Sequence, residues 1–345
     1  MVIETEITKM LGITHPLIGA PMGPFYTTEL SIALSNAGGL GVLSHTNLGM
    51  QSSVYAMKKN MKQVVEYTDK PFGFNIRTSR MQPDAPGLCS KIPKFIMKNP
   101  KIKEQCRYII TSAGTPRMIQ ENKAFIKLKE SGSEIKHFHV APALWLTDKC
   151  VAAGVDGLVV TGFEGGGHQS YEQVSTLVLM QQVVQKYPNV PVVACGGIAT
   201  GQGLAAALSL GAGAVAMGSR FIASKESEFH EKFKNIVPPA KAQDTIYVTG
   251  VLAPIRLWRN KYSLHHELVA SKEEKLAEEK GLTLEDMFKI NIAYEIAYEG
   301  DIVDGAVPLG QCIGVINSIE KVSDIVDSII TNAEKYLKKA VNSIK

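Results

Sequence analysis

The sequence predicts an α/β fold: a TIM (β/α)8 barrel followed by a helical C-terminal extension. Three observations carry this. Eight short apolar runs alternate with helix-period segments between residues 16 and 217, a span of roughly 200 residues that matches one such barrel. Most runs end in glycine, proline or a small polar residue, as strands do where they open into loops. The last two open into glycine-bearing loops, 196–203 and 218–221, where such barrels bind phosphate.

In chain order, strand one is 16–20, and Pro21-Met22-Gly23-Pro24 is a turn too rich in proline and glycine to prolong it. Thr27 or Thr28 caps a helix through Leu30, Ile32, Ala33 and Leu34 that ends at Gly38-Gly39. Strand two is 40–43. Val54, Met57, Met61, Val64 and Val65 give 51–67 a helical stripe, and strand three, 72–76, carries Asn75 near its end. The prolines at 83, 86, 93 and 100 break the pattern, so 78–103 is expected to be an insertion with one short helix, either a lid or decoration.

Strand four, 107–111, leads into Ser112-Ala113-Gly114 and a helix over 116–129. Strand five is 136–140. A helix at 146–153 closes on Gly154, and strand six is 157–161. A helix over 171–186 stops before Pro188. Strand seven, 190–195, the helix 201–210 and strand eight, 214–217, complete the eighth unit. Residues 1–224 then form the barrel, and 225–345 an extension with helices at 225–235, 271–280, 284–298 and 322–338. The charged 271–280 stretch reads as a solvated face, and the last two helices are amphipathic enough to pack on the barrel as a cap.

Composition limits the function. A net charge of +4 over 345 residues, without a basic block, argues against nucleic acid or an anionic membrane as partner. Five scattered cysteines without metal-type spacing fit reduced thiols in the cytoplasm, and no metal site is expected. The N-terminus is acidic where a signal peptide is basic, and no apolar run approaches the ~18 residues of a membrane span.

The stretch with most chemistry is 157–168, Gly-Leu-Val-Val-Thr-Gly-Phe-Glu-Gly-Gly-Gly-His, a buried-type strand breaking into glycines before His168. Alone it reads equally as a site or as a flexible turn with an exposed histidine. An open doubly wound sheet is the rival fold, but no Gly-x-Gly-x-x-Gly follows the first strand, and 196–203 lacks the Gly-Lys-Ser/Thr ending of a nucleotide triphosphate loop. His137 and His139 on strand five are expected to alternate, one towards the barrel interior and the other towards a helix, with His139 the better functional candidate, though a core histidine is the better reading of both. His265-His266-Glu267 lacks useful metal spacing. Ser112 and Ser219 have no local partners of a nucleophile, and Glu164 reads as an acid or base or, more simply, as a residue tied to backbone N–H groups.

Ala20-Pro21-Met22, Gly162-Phe-Glu-Gly-Gly-Gly-His168, Ala194-Cys-Gly-Gly-Ile198 and Met217-Gly-Ser-Arg-Phe221, in this order and spacing, resemble the nitronate monooxygenase family. That family also includes flavin-dependent enoyl-acyl-carrier-protein reductases and NAD(P)H:quinone reductases. The resemblance implies an FMN-binding barrel. Gly196, Gly197 and the Gly218-Ser219 turn would hold the phosphate, Ala20, Pro21 and Met22 would lie by the ring, and Asn75 would bond a flavin edge. Gly166 and Gly167 would let the loop pass close to the cofactor, with His168 catalytic and facing the substrate. Histidine suits this duty because its unperturbed pKa of ~6.5 lets it exchange a proton near neutrality. The expected activity is nitronate oxidation with O2. NAD(P)H-dependent reduction of quinones or enoyl thioesters is the alternative, and a non-catalytic flavin-binding protein the third. Oligomeric state is open, with a homodimer one option.

Overall fold

The computed structural model describes residues 2–344 except 80, 251–252, 267–270, 272, 275–276, 278–280 and 282. Its strands are β1 (Leu17–Gly19), β2 (Gly41–Leu43), β3 (Phe72–Arg77), β4 (Cys106–Ser112), β5 (Lys136–Ala141), β6 (Gly157–Thr161), β7 (Gly167–His168), β8 (Val192–Cys195), β9 (Ala214–Met217), β10 (Thr245–Val248) and β11 (Ile255–Trp258). Eight of them form one parallel sheet in the order β1-β9-β8-β6-β5-β4-β3-β2. A parallel bridge from Ile18 to Leu40, with Gly19 N donating to Leu40 O at 2.9 Å, joins its ends into a barrel. All eight expected strands are present.

Alternation decides what fills the barrel. Ile18, Val42, Tyr108, Ile110, Phe138, Val159, Val193 and Ala216 point inward as one cluster, and the Glu6–Leu11 helix adds Ile7 and Leu11 to it. The outward residues meet the helices. The span expected to be an insertion is instead the third crossover: the Ala85–Met97 helix buries Leu88, Cys89, Ile92 and Ile96 against Phe72, Phe74 and Ile76, and the Pro100–Gln105 helix follows. The prolines misled because Pro86 and Pro100 occupy first turns, where their missing N–H costs nothing.

His137 and His139 stand two residues apart and so share a face, contrary to the expectation that they diverge. That face is the outer one, away from the cluster holding Phe138. Both are fully buried and bond Thr111 Oγ1, from Nε2 at 2.7 Å and from Nδ1 at 2.6 Å respectively. One hydroxyl can donate to one ring and accept from the other, so this pair of contacts suits neutral imidazoles. Burial lowers the pKa of both, that of His139 to about 3. Because the unfolded chain binds these protons more readily, stability is expected to fall as pH drops below about 6.5. Thr111→Val strands two buried ring nitrogens and is expected to cost about 2–4 kcal/mol in denaturant unfolding; a loss below about 0.5 kcal/mol would remove Thr111 as their bridge.

The extension is not purely helical. β10 and β11 form a hairpin whose second strand pairs antiparallel with β7, joining Ile255 to His168 and Arg256 to Gly167. The Val322–Val341 helix lays Ile325, Ile329 and Ala333 against the barrel, with Gly201 directly beneath Ala333. Only Glu231–Asn235 of the expected 225–235 helix forms, and the 171–186 helix starts at Thr176, capped by Ser175. The charged helix at 271–280 falls largely outside the described residues. Among the described residues, no helix is long and apolar enough to cross a membrane.

Candidate active site

The C-terminal ends of the barrel strands open into a cavity of about 1020 Å³. That lies at the upper end of the ~300–1,000 Å³ usual for small-molecule sites, and leaves room for a cofactor beside a substrate. Ala20, Pro21, Asn75, Gly166, Gly167 and His168 all line it, as do Arg77, Ser112, Thr161 and Cys195. Ala253, Ile255, Tyr294 and Pro308 supply a wall from the extension. Met22, Gly196, Gly197, Gly218 and Ser219 stand outside the lining.

The segment carrying His168 is held rigidly for a run so rich in glycine. Arg256, buried between the rings of Phe163 and Tyr247, donates from Nε to Phe163 O at 2.8 Å. Gln169 N donates to Pro254 O at 2.8 Å, and the Tyr247 hydroxyl donates to Ser170 O at 2.5 Å. Glu164 is a tie, as one of its two readings held: its Oε2 accepts from Thr176 N at 2.9 Å and from Thr176 Oγ1 at 3.0 Å.

Two of the glycines have different reasons. A Cβ on Gly166 would stand 2.7 Å from Leu309 C and 2.8 Å from Gly310 N, so that position is small because the extension's backbone presses on it. Gly167 has open space around its missing side chain but a φ of 83°, a conformation costly for other residues.

Asn75 is buried, and its Nδ2 donates to Ile110 O at 2.9 Å and Ser112 Oγ at 3.2 Å. Its Oδ1 is buried without a hydrogen-bond partner among the described residues. Gly196 and Gly197 take φ of 87° and 75° at the end of β8, and Gly218 precedes the short Ser219–Ile222 helix after β9, 3.7 Å from Ala20 Cβ as a Cβ would measure it. Ser219 Oγ accepts from Gly310 N at 3.0 Å, tying the extension to this loop. Met22 is buried in the main core, its N–H donating to Ser44 Oγ at 2.9 Å.

The sequence reading missed Arg77 and the hairpin. Arg77 was within reach, because two residues after Asn75 on the same strand means the same face. The hairpin's signal was the β-branched and aromatic run Thr245-Ile-Tyr-Val-Thr249 ahead of Gly250 and Pro254. His265 is exposed, with Nδ1 at 2.5 Å from Lys261 O, while His266 lies against the Tyr262 ring; Glu267 falls outside the described residues.

Comparison with known proteins agrees with this architecture. The family model for nitronate monooxygenase matches residues 4–332. A Mycobacterium tuberculosis protein named (3aS,4S,5R,7aS)-5-hydroxy-7a-methyl-1-oxo-octahydro-1H-indene-4-carboxyl-CoA dehydrogenase is 31% identical over 256 residues, covering 73% of this chain and 64% of that one. A nitronate monooxygenase of Paraburkholderia phytofirmans is 30% identical over 278 residues, covering 72% and 74%. The solved structure of FabK from Thermotoga maritima superposes with a TM-score of 0.80 at 30% identity, covering 99% of this chain and 100% of that one. With a family model spanning the barrel and most of the extension, and the family's motifs gathered at one end of the barrel, the chain is an oxidoreductase that belongs to the nitronate monooxygenase family.

Proposed function

We propose that the protein is an FMN-dependent enzyme that oxidises alkyl nitronates with O2. The observation that supports this most is the meeting of Asn75 and His168 on one cavity at the strand ends. The residues present fit a flavin. Asn75 Oδ1 is a buried acceptor in want of a donor, which the N–H edge of an isoalloxazine ring provides. The left-handed glycines after β8 and the helix start after β9 suit a phosphate.

When bound, FMN supplies the electron transfer. The protein's part is to hold and shield. Asn75 fixes the ring edge, Ala20 and Pro21 give it an apolar support, and Gly196, Gly197 and the Gly218-Ser219 turn receive the phosphate. His168 orients the substrate, holding or moving a proton at its imidazole ring nitrogen. Ala253 and Ile255 keep water from that wall. Recombinant protein is expected to be yellow, or to become so after incubation with FMN. Protein that stays colourless defeats the cofactor assignment.

The second reading is an NAD(P)H-dependent reductase of quinones or enoyl thioesters. The cavity volume favours it, as does the relative named for a CoA compound. Anaerobic mixing separates the two: rapid bleaching of the flavin by NADH or NADPH supports the reductase, and bleaching by a nitronate alone supports the oxidation. The five free cysteines are consistent with a reducing compartment such as the cytoplasm.

A further inference from the structure

Neither the proposed flavin contacts nor His168 accounts for the charge in the cavity wall. Among the described residues its acidic and basic lining side chains are Arg77, Arg117, Lys149 and Asp148, and Asp148 is already engaged by Lys186 Nζ at 2.7 Å and the Tyr187 hydroxyl at 2.6 Å. Arg117 and Lys149 lie on the outer helices, whereas Arg77 stands at the end of β3, two residues from Asn75.

Arg77 is held in place without a direct ion pair. Its Nη2 donates to Asn47 Oδ1 at 2.9 Å, and its Nε is buried without a hydrogen-bond partner among the described residues. A Cβ on Gly23 would sit 3.2 Å from that Nε, so the turn after β1 leaves space for the guanidinium. No described carboxylate comes within ion-pairing distance of it. Asp84 acts on it only from further off, its Oδ2 taken by His45 Nε2 at 3.1 Å and by the Ser53 hydroxyl. Burial would raise the Asp84 pKa, but the bonds from His45 and Ser53, with the charges of His45 and, last, Arg77, outweigh it and hold the carboxyl at about 2. Burial lowers the Arg77 pKa to about 10, which leaves the guanidinium charged at neutral pH. Tyr294, which shares the cavity wall and is kept neutral by burial, also lies near it.

A fixed cation that lines a cavity, with an unpartnered N–H and no direct ion pair, is a receptor for an anion. We infer that Arg77 binds the planar, two-oxygen anionic end of the substrate, a nitronate or a carboxylate, beside Tyr294 and the Gly23 turn. The fork matches carboxylate and phosphate alike, but one guanidinium beside a neutral tyrosine balances a single negative charge, which suits a nitronate or carboxylate better than a phosphate dianion. The nitronate form of the inference rests on the proposed function; the receptor itself does not.

The test uses the full chain with FMN, butyrate as a stable planar anion, and Arg77→Gln and Arg77→Lys. In calorimetric titration, Arg77→Gln is expected to weaken butyrate binding about ten- to a hundredfold, with Arg77→Lys between it and the parent. With propyl-2-nitronate the loss should fall on KM more than on kcat, while KM for a neutral quinone changes little. Unchanged butyrate affinity in Arg77→Gln overturns the inference. So does an equal loss for quinone and nitronate, or inorganic phosphate binding more tightly than butyrate through Arg77. Butyrate binding that depends on Arg77 in a protein that oxidises no nitronate sinks the proposed function and leaves the receptor standing.

Discussion

His168→Ala is expected to keep its flavin and to lose turnover by about a hundredfold to ten-thousandfold with any true substrate. The flavin should stay because the backbone of this segment is held independently of the imidazole. β7 is paired to Ile255 and Arg256, Gln169 N is bonded to Pro254 O, and Arg256 grips Phe163 O. Truncation therefore removes a functional group without releasing the strand. Flavin absorbance per chain reports the first half of the expectation and kcat the second. His168→Gln separates two roles, since an amide restores a hydrogen bond but not proton exchange. Recovery of turnover with Gln makes His168 a positioning group, while persistent loss makes it a proton carrier. Undiminished turnover in the alanine variant takes His168 out of the mechanism.

Gly162→Ala is expected to cost about 3 kcal/mol or more in denaturant unfolding. Its φ is one that alanine accepts, so the cost is steric: a Cβ there would overlap Thr176 N and Oγ1. Thr176 cannot yield cheaply. It opens the Thr176–Lys186 helix, accepts from Gly162 N at 3.2 Å, and holds Glu164 through both its N–H and its hydroxyl. Displacing it loosens the loop that leads to His168. Gly132→Ala is the control, because its φ is 80° but nothing stands within 4 Å of the added carbon. That variant should lose about 1–2 kcal/mol to backbone strain alone. If denaturant unfolding finds Gly162→Ala no worse than Gly132→Ala, the tight contact between the signature loop and the helix start is wrong.

The barrel was legible because each of its signals is short in range. Leu158, Val159 and Val160 declare a strand covered on both faces, and Gly154 and Gly211 mark helix ends within a few residues of the apolar stripe they stop. Misreadings arose where one residue type has two local meanings. Pro86 and Pro100 begin helices although proline more often breaks them, and a period of two puts His137 and His139 on one face although neighbouring strand residues alternate.

The sequence by itself determined the eight-unit barrel, the loops at its strand ends and the family motifs they carry, because strand, helix and turn preferences are written in neighbours. Tertiary structure alone decided how His168 is held and what charge it shares a cavity with. β7 becomes a strand only because β11, nearly ninety residues later, offers it a ladder. Gly166 must be small because Leu309 and Gly310 return to it, and Arg77 and Tyr294 meet only when the extension closes over the barrel. Hydrogen bonds and Coulomb forces act through space, and no local pattern records which distant segment will arrive.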